Sequence, residues 1–203
     1  MEKIRRYSKS EKTMQYIIEQ VAPIFNKKGY VGTSLSDLTE ATGLTKGCIY
    51  GIFKNKDEVA IEAFKYNLAI ITDSFFKEIS DNRISPLDKL LLLPKTYLKR
   101  YDNIVIMGGC PILNTAVDAD DTHPELKKMA QNIVSRINKS LALVIEEGIS
   151  KEQIKPETNP DKVAEIMISL VEGGFMMAKL LDNKEYFENS LEQLNEIING
   201  LRI

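Results

Sequence analysis

The sequence predicts an all-α fold in two parts: a three-helix module with a helix-turn-helix over residues 1–56, and a larger helical body over 57–203. Three observations carry this. Apolar residues recur at spacings of three and four through most of the chain, the period of a helix face. Ser, Thr, Gly and Pro stand where helices of ordinary length begin and end. No convincing strand run interrupts them. With 203 residues and 43% hydrophobic content, the chain is long enough for a sizeable core, which argues against disorder.

Met14, Ile17, Ile18, Val21 and Phe25 make residues 10–27 an amphipathic helix, with Lys27, Lys28 and Gly29 suited to its end. Pro23 removes one helical hydrogen bond and is expected to kink it. A second helix starts at Ser34, with Asp37 three residues on in the manner of a capping box, and stops at Gly43. Gly43-Leu44-Thr45 is a tight turn, after which Thr45 caps a third helix from Lys46 to about Phe53. Two short helices joined by such a turn form the helix-turn-helix pattern. In that motif the second helix enters the major groove of DNA. Gly47 and Gly51 each cost such a helix about 1 kcal/mol relative to Ala, which fits close approach of the backbone to a phosphate or a base.

The net charge of −2 conceals an asymmetry: residues 1–56 hold ten Lys/Arg against five acids, net +5, and the remainder carries net −7. A cationic head on an acidic body suits a polyanion partner, since bound cations release phosphate counterions.

The run Gly29-Tyr30, Thr33-Ser34-Leu35, Asp37-Leu38, Ala41 to Gly47, Ile49-Tyr50, Phe53, Asn55-Lys56 and Glu58 resembles the DNA-binding domain of TetR/AcrR-type transcriptional regulators, without a gap over about residues 10–60. The resemblance implies a sequence-specific DNA-binding regulator, most simply a homodimeric repressor released from its operator by a small-molecule effector. By it, Thr33, Ser34, Thr45, Lys46, Tyr50 and Lys56 are candidate phosphate contacts, while Gly47, Cys48 and Gly51 fall on the DNA side with Cys48 and Gly51 facing the bases. Cys48 and Gly51 depart from the larger or more polar residues common at these positions, so backbone and phosphate contacts should outweigh base-specific hydrogen bonds. Tyr50 also admits a plain packing role, and Lys54 and Lys56 a solvated one at a helix C-terminus.

In the body, Ile61, Phe64, Leu68, Ile71, Phe75 and Ile79 mark a helix over about 57–80, and Ser85-Pro86 begins another. Residues 102–123, with Gly108-Gly109-Cys110-Pro111, read as the least regular segment. A helix from Pro124 to Glu147 is expected to stop at Gly148, followed by a polar connection to Asn159. Residues 160–182 are apolar around most of the circumference, so that helix is buried on more than one side. Phe187, Leu191, Leu194, Ile198 and Leu201 then repeat at 4-3-4-3 spacing. Two readings fit these last helices: an intramolecular bundle that consumes every apolar face, or a two-fold dimer through Val163, Met167, Leu170, Gly174, Phe187, Leu191, Leu194 and Ile198. The resembled family favours the dimer. It also implies an effector pocket, for which Phe64, Met107, Cys110, Leu113, Asn114, Met167, Phe175 and Met176 are the candidate lining, mostly apolar, with Asn114 orienting the ligand. Cys110 is either an electrophile sensor or an inert buried thiol.

Enzyme chemistry is poorly supported. There is one histidine, His123, which reads as a helix-entry residue; no phosphate-cradling loop carries a Lys, and no cluster has metal-ligand spacing. No cofactor and no metal are expected. Glu165, Glu172 and Lys179 interrupt the longest apolar stretch, so no membrane span is expected, and a cytoplasmic location with thiol cysteines follows. A third class, an all-helical adapter for another protein, differs from the regulator by forming a heterocomplex in place of a homodimer.

Overall fold

A computed structural model describes residues 8–203, and the charges at Glu2, Lys3, Arg5 and Arg6 lie outside that range. The described residues form nine helices: α1 (Lys9–Gly32), α2 (Leu35–Thr42), α3 (Lys46–Tyr50), α4 (Lys56–Ile79), α5 (Pro86–Ile106), α6 (Pro111–Asp118), α7 (Pro124–Ser150), α8 (Pro160–Leu180) and α9 (Glu185–Gly200). No helix among them is long and apolar enough to cross a membrane.

Most helix starts are set by side chains that satisfy the free N–H groups of the first turn. Ser8 and Ser34 each form a reciprocal capping box, with Glu11 and Asp37. Thr45, Asn55, Ser85, His123 and Asn159 cap α3, α4, α5, α7 and α8. At the end of α2, Gly43 takes the left-handed conformation (φ 67°) that a tight turn requires and that costs glycine least.

Several elements differ from the sequence-based expectation. Backbone geometry stays helical at Pro23; the break falls at Gly29 (φ 73°), and one further turn follows. Helix α3 ends at Tyr50, three residues short of Phe53, because Gly51 closes it and Asn55 already caps the next helix. Residues 102–123 hold the end of α5 and all of α6, whose first position is Pro111. Helix α7 runs through Gly148, which is buried inside it: Ile154 and Pro86 pack where a Cβ would stand, so this glycine serves packing and not termination.

Two apolar cores share α4. In the first, Ile17, Val21, Leu38, Ile49, Phe53 and Val59 of the head pack with Ala119, Leu126 and Ala130 of α6 and α7. The second fills the body with Phe75, Leu90, Ile137, Leu141, Ile145, Met167 and the residues of α9. Here the expected dimer seam needs correction. Phe187, Leu191, Leu194 and Ile198 are at most 4% exposed within the single chain, packed against α5 and α8, and Tyr101, Phe175 and Phe187 form one aromatic cluster with centroids 5.4–5.5 Å apart. Met167 and Gly174 are buried too; only Val163 and Leu170 of the expected seam remain half-exposed. The reason is steric: Gly174 lets α9 close onto α8, since a Cβ there would overlap Ser190, whereas Gly173 has open space where its Cβ would lie.

Gly174→Ala is therefore expected to lower stability by about 1–3 kcal/mol through overpacking, read as a lower urea midpoint at unchanged slope.

Candidate nucleic-acid interface and its connection to the body

The α2–turn–α3 unit is held from behind by Leu38, Ile49 and Phe53, all buried, and by Tyr16, whose hydroxyl donates to the Thr42 carbonyl at 3.0 Å. This leaves the start of α3 facing outward. Thr45, Lys46, Gly47, Cys48 and Gly51 are exposed together, and Ser34 stands exposed at the start of α2. Lys46 reaches within 6.0 Å of the Tyr50 ring, and Tyr50 is half-buried against the head core. Thr45 already caps the Cys48 N–H, so the exposed Lys46 cation at the first position of α3 is what makes this surface attractive to an anion.

Two candidates are placed otherwise than expected. Thr33 is fully buried, and its hydroxyl donates to the Gly29 carbonyl at 2.6 Å, so it closes the Gly29 break and is not on the surface. Lys56 does not end a helix; it opens α4, where a cation is disfavoured by the helix dipole, and its ammonium sits 4.4 Å from the Tyr30 ring centroid. At the edge of the surface, Lys28 pairs with Asp37 at 2.6 Å, and that contact together with the Ser34 N–H lowers the Asp37 pKa to about 2.

Behind this surface, the C-terminal half of α1 is gripped by the body. The Asn26 side chain donates to the carbonyls of Met107 and Gly109, both at 2.9 Å. Asn114 on α6 donates to the Asn26 carbonyl at 2.9 Å and to that of Gly108 at 3.0 Å. Asp118, ending α6, accepts the Tyr30 N–H at 2.6 Å, and a Cβ at Gly29 would overlap its carboxylate. Asn67 on α4 donates to the Ala22 carbonyl at 2.7 Å. Asn114, expected to orient a ligand, is thus spent on this junction.

The candidate pocket residues divide among separate places. Cys110, Met167 and Phe175 line an enclosed cavity in the body, together with Phe75, Tyr97, Ile112, Ile137, Val171 and Glu172. Phe64, Leu113, Asn114 and Met176 line an open groove between head and body, and Met107 a shallower cleft beside it. The enclosed cavity is small in this form, about 40 Å³, room for a few waters. Cys110 and Cys48 are both thiols. Burial first, then the nearby Glu172 carboxylate, pushes the Cys110 thiol well above its ordinary pKa, the opposite of what a reactive thiolate needs. Sequence reasoning missed Glu172 and Tyr97 as lining. The available signal was an acid, Glu172, set between Leu170-Val171 and Phe175-Met176 in the most apolar helix of the chain.

One consequence concerns pH. Tyr30 donates its hydroxyl to Asp57, and that hydrogen bond, with desolvation and the Asp57 charge, pushes the phenol up to about 12. A raised folded pKa gives stability that is complete below the unfolded value near 10 and is lost as pH rises towards 12. Tyr30→Phe should thus flatten the alkaline fall in stability relative to wild type across that window, measured by urea unfolding at stepped pH; parallel curves would remove the assignment.

Comparison with known proteins matches this architecture end to end. Residues 17–63 match the family described as bacterial regulatory proteins, tetR family, and residues 86–194 match the tetracyclin repressor-like C-terminal domain. The crystal structure of a TetR-family transcriptional regulator from Cytophaga hutchinsonii superposes with a TM-score of 0.90 at 40% identity, covering 98% of this chain and 99% of that one. A TetR regulator from Chloroflexus aurantiacus gives 0.88 at 30% identity over 94% and 96% of the two chains. The HTH-type transcriptional repressor DhaR of Mycobacterium sp. is 24% identical over 188 residues, 91% of each protein. With a matched head, a matched body and a 40%-identical relative spanning nearly the whole chain, the protein belongs to the TetR family of DNA-binding transcriptional regulators and is not an enzyme.

Proposed function

We propose that the protein is a homodimeric repressor whose operator affinity falls when a small, mostly apolar effector enters the enclosed cavity of the body. The observation that supports this most directly is a shared element. Cys110 and Ile112, at the start of α6, line the cavity, and the turn before α6 and its later residues Asn114 and Asp118 hold α1 of the head. A ligand that displaces the start of α6 therefore acts on the hydrogen bonds that orient the helix-turn-helix. A ligand shifts such an equilibrium only by its differential affinity for the two arrangements, and the small closed cavity supplies that difference: the filled state must be wider. Repression as the output is supported by the name of DhaR.

The DNA face of this reading comprises Ser34, Thr45, Lys46, Gly47, Cys48, Tyr50, Gly51 and Lys56, with Thr33 removed because it is buried. Short side chains at Cys48 and Gly51 favour backbone and phosphate contacts, which position a protein without reading sequence. One such head buries little surface, and two placed roughly 34–36 Å apart meet successive major grooves.

For the dimer, we take the outer side of α8, an apolar strip left over by the intramolecular bundle that borders the head–body groove at Met176 and Leu180. Ile166, Gly173, Met176 and Leu180 follow one another at helical spacing there, Val163 and Leu170 flank them, and Tyr186 of α9 lies exposed nearby. Met176 and Leu180 are 44% and 71% exposed, and the bare Cα of Gly173 admits a second helix at short range.

Fluorescence titration with the promoter DNA flanking its own gene tests the reading: binding no tighter than to scrambled DNA at moderate salt would overturn it. Lys46→Ala is expected to weaken binding and to reduce the slope of log K against log salt by about one. Gly173→Glu should halve the mass seen by light scattering while circular dichroism stays helical; an unchanged dimer would move the interface elsewhere, and a heterocomplex from wild type would favour the adapter reading.

A further inference from the structure

The enclosed cavity is apolar on all sides but one. Ile71, Phe75, Leu93, Val134, Ile137 and Val171 are among its lining, and among the described residues no lysine, arginine or histidine is. Glu172 stands within it on α8. Its Oε1 accepts a hydrogen bond from the Cys110 thiol at 3.1 Å, and its Oε2 is buried with no hydrogen-bond partner among the described residues. A carboxylate so placed adds nothing to packing that a leucine or methionine would not do better, and it stands in the medium least able to solvate its charge. Burial accordingly raises its pKa, with the thiol hydrogen bond pulling in the opposite direction.

We infer that the effector is an apolar monocation, of the alkyl- or arylammonium class, whose positive centre is neutralised by Glu172 inside an aromatic and aliphatic cavity. The inference rests on reading this cavity as the effector site. Four aromatic residues, Phe75, Tyr97, Phe175 and Phe187, are on the lining; an aromatic face attracts a cation and repels an anion, and Glu172 likewise disfavours an anion. A carboxylate ligand such as a free fatty acid is therefore disfavoured. A neutral ligand satisfies Oε2 with one donor but leaves the charge uncompensated. The groups that face Glu172 from neighbouring helices are the Cys110 thiol at the start of α6 and the Tyr97 phenol on α5; α4, α7 and α9 present only apolar and hydroxyl side chains to the cavity. The presence of a bound cation stabilises the Glu172 carboxylate, so any proton on it leaves to solvent when the cation enters.

Calorimetric titration of the full-length protein with octylammonium, octanol and octanoate, all below micelle formation, separates the possibilities. The cation is expected to bind on the order of 10- to 100-fold tighter than octanol, with octanoate weakest. Glu172→Gln should remove that preference while octanol binding persists. In wild type, cation affinity should tighten as pH rises through the Glu172 titration and then level off; this profile decides the question even where the Gln variant fails to fold. Cation and octanol binding alike in wild type, or a preference retained in Glu172→Gln, overturns the charge assignment and leaves the cavity as effector site. If none of the three binds, or if filling the cavity by Ile168→Phe leaves binding unchanged, the effector-site reading falls and this inference with it.

Discussion

Where α5 turns into α6, the backbone at Gly108 and Gly109 takes φ of 103° and 107°, which leaves carbonyls of this turn pointing away from any helix. Asn26 and Asn114 satisfy them, and Asn114 also satisfies the Asn26 carbonyl. Leaving the buried Asn26–Gly109 bond unmade would cost about 1–3 kcal/mol and the part-buried bonds add to it, so the turn, α1 and α6 hold their positions jointly. This set joins the C-terminal half of α1 to α6 and to the turn before it. It fixes the direction in which α1 leaves the body, and α1 is the backing against which α2 packs, so the aim of α3 follows from it.

The same constraint explains why the head core does not end at the head. Ala119, Leu126 and Ala130 complete the cluster around Phe25 and Phe64, and Asp118 holds the backbone at the Gly29 break. Around Tyr30 the contacts are denser still, with His123 edge-on at 4.6 Å, Lys56 over the ring and Asp57 at the hydroxyl. Helix α4 runs from this cluster into the body cavity, where it contributes Ile71, Thr72 and Phe75. Head and cavity are thus connected twice, through α6 and through α4, both by packed and hydrogen-bonded contacts that cannot deform smoothly.

Local signals were legible because their physics is local. Ser34 with Asp37, Gly43, Thr45, and Pro86 behind Ser85 sit where they do because a helix end needs a cap or a left-handed residue within a few positions of itself. The 4-3-4-3 repeat of α9 was legible as a buried stripe for the same reason. What it is buried against was not, since periodicity names a face and no partner; the answer turned on which of Gly173 and Gly174 faces Ser190. Gly148 misled in the same way, because a glycine that ends a helix and one that admits Ile154 look alike in one dimension.

By itself the sequence determined the helical architecture, the helix-turn-helix with its basic head, and the family resemblance, all of which rest on residue types and spacings read along a continuous stretch of chain. Tertiary structure alone decided that Thr33 turns inward, that Asn114 is spent on Asn26, that the expected seam of α9 closes on its own chain, and that Glu172 stands without a counter-charge in an apolar cavity. Apart from the local bond of Thr33 to Gly29, each of these depends on residues far apart in the chain meeting at one point, and a single sequence carries no record of such meetings until the chain has packed.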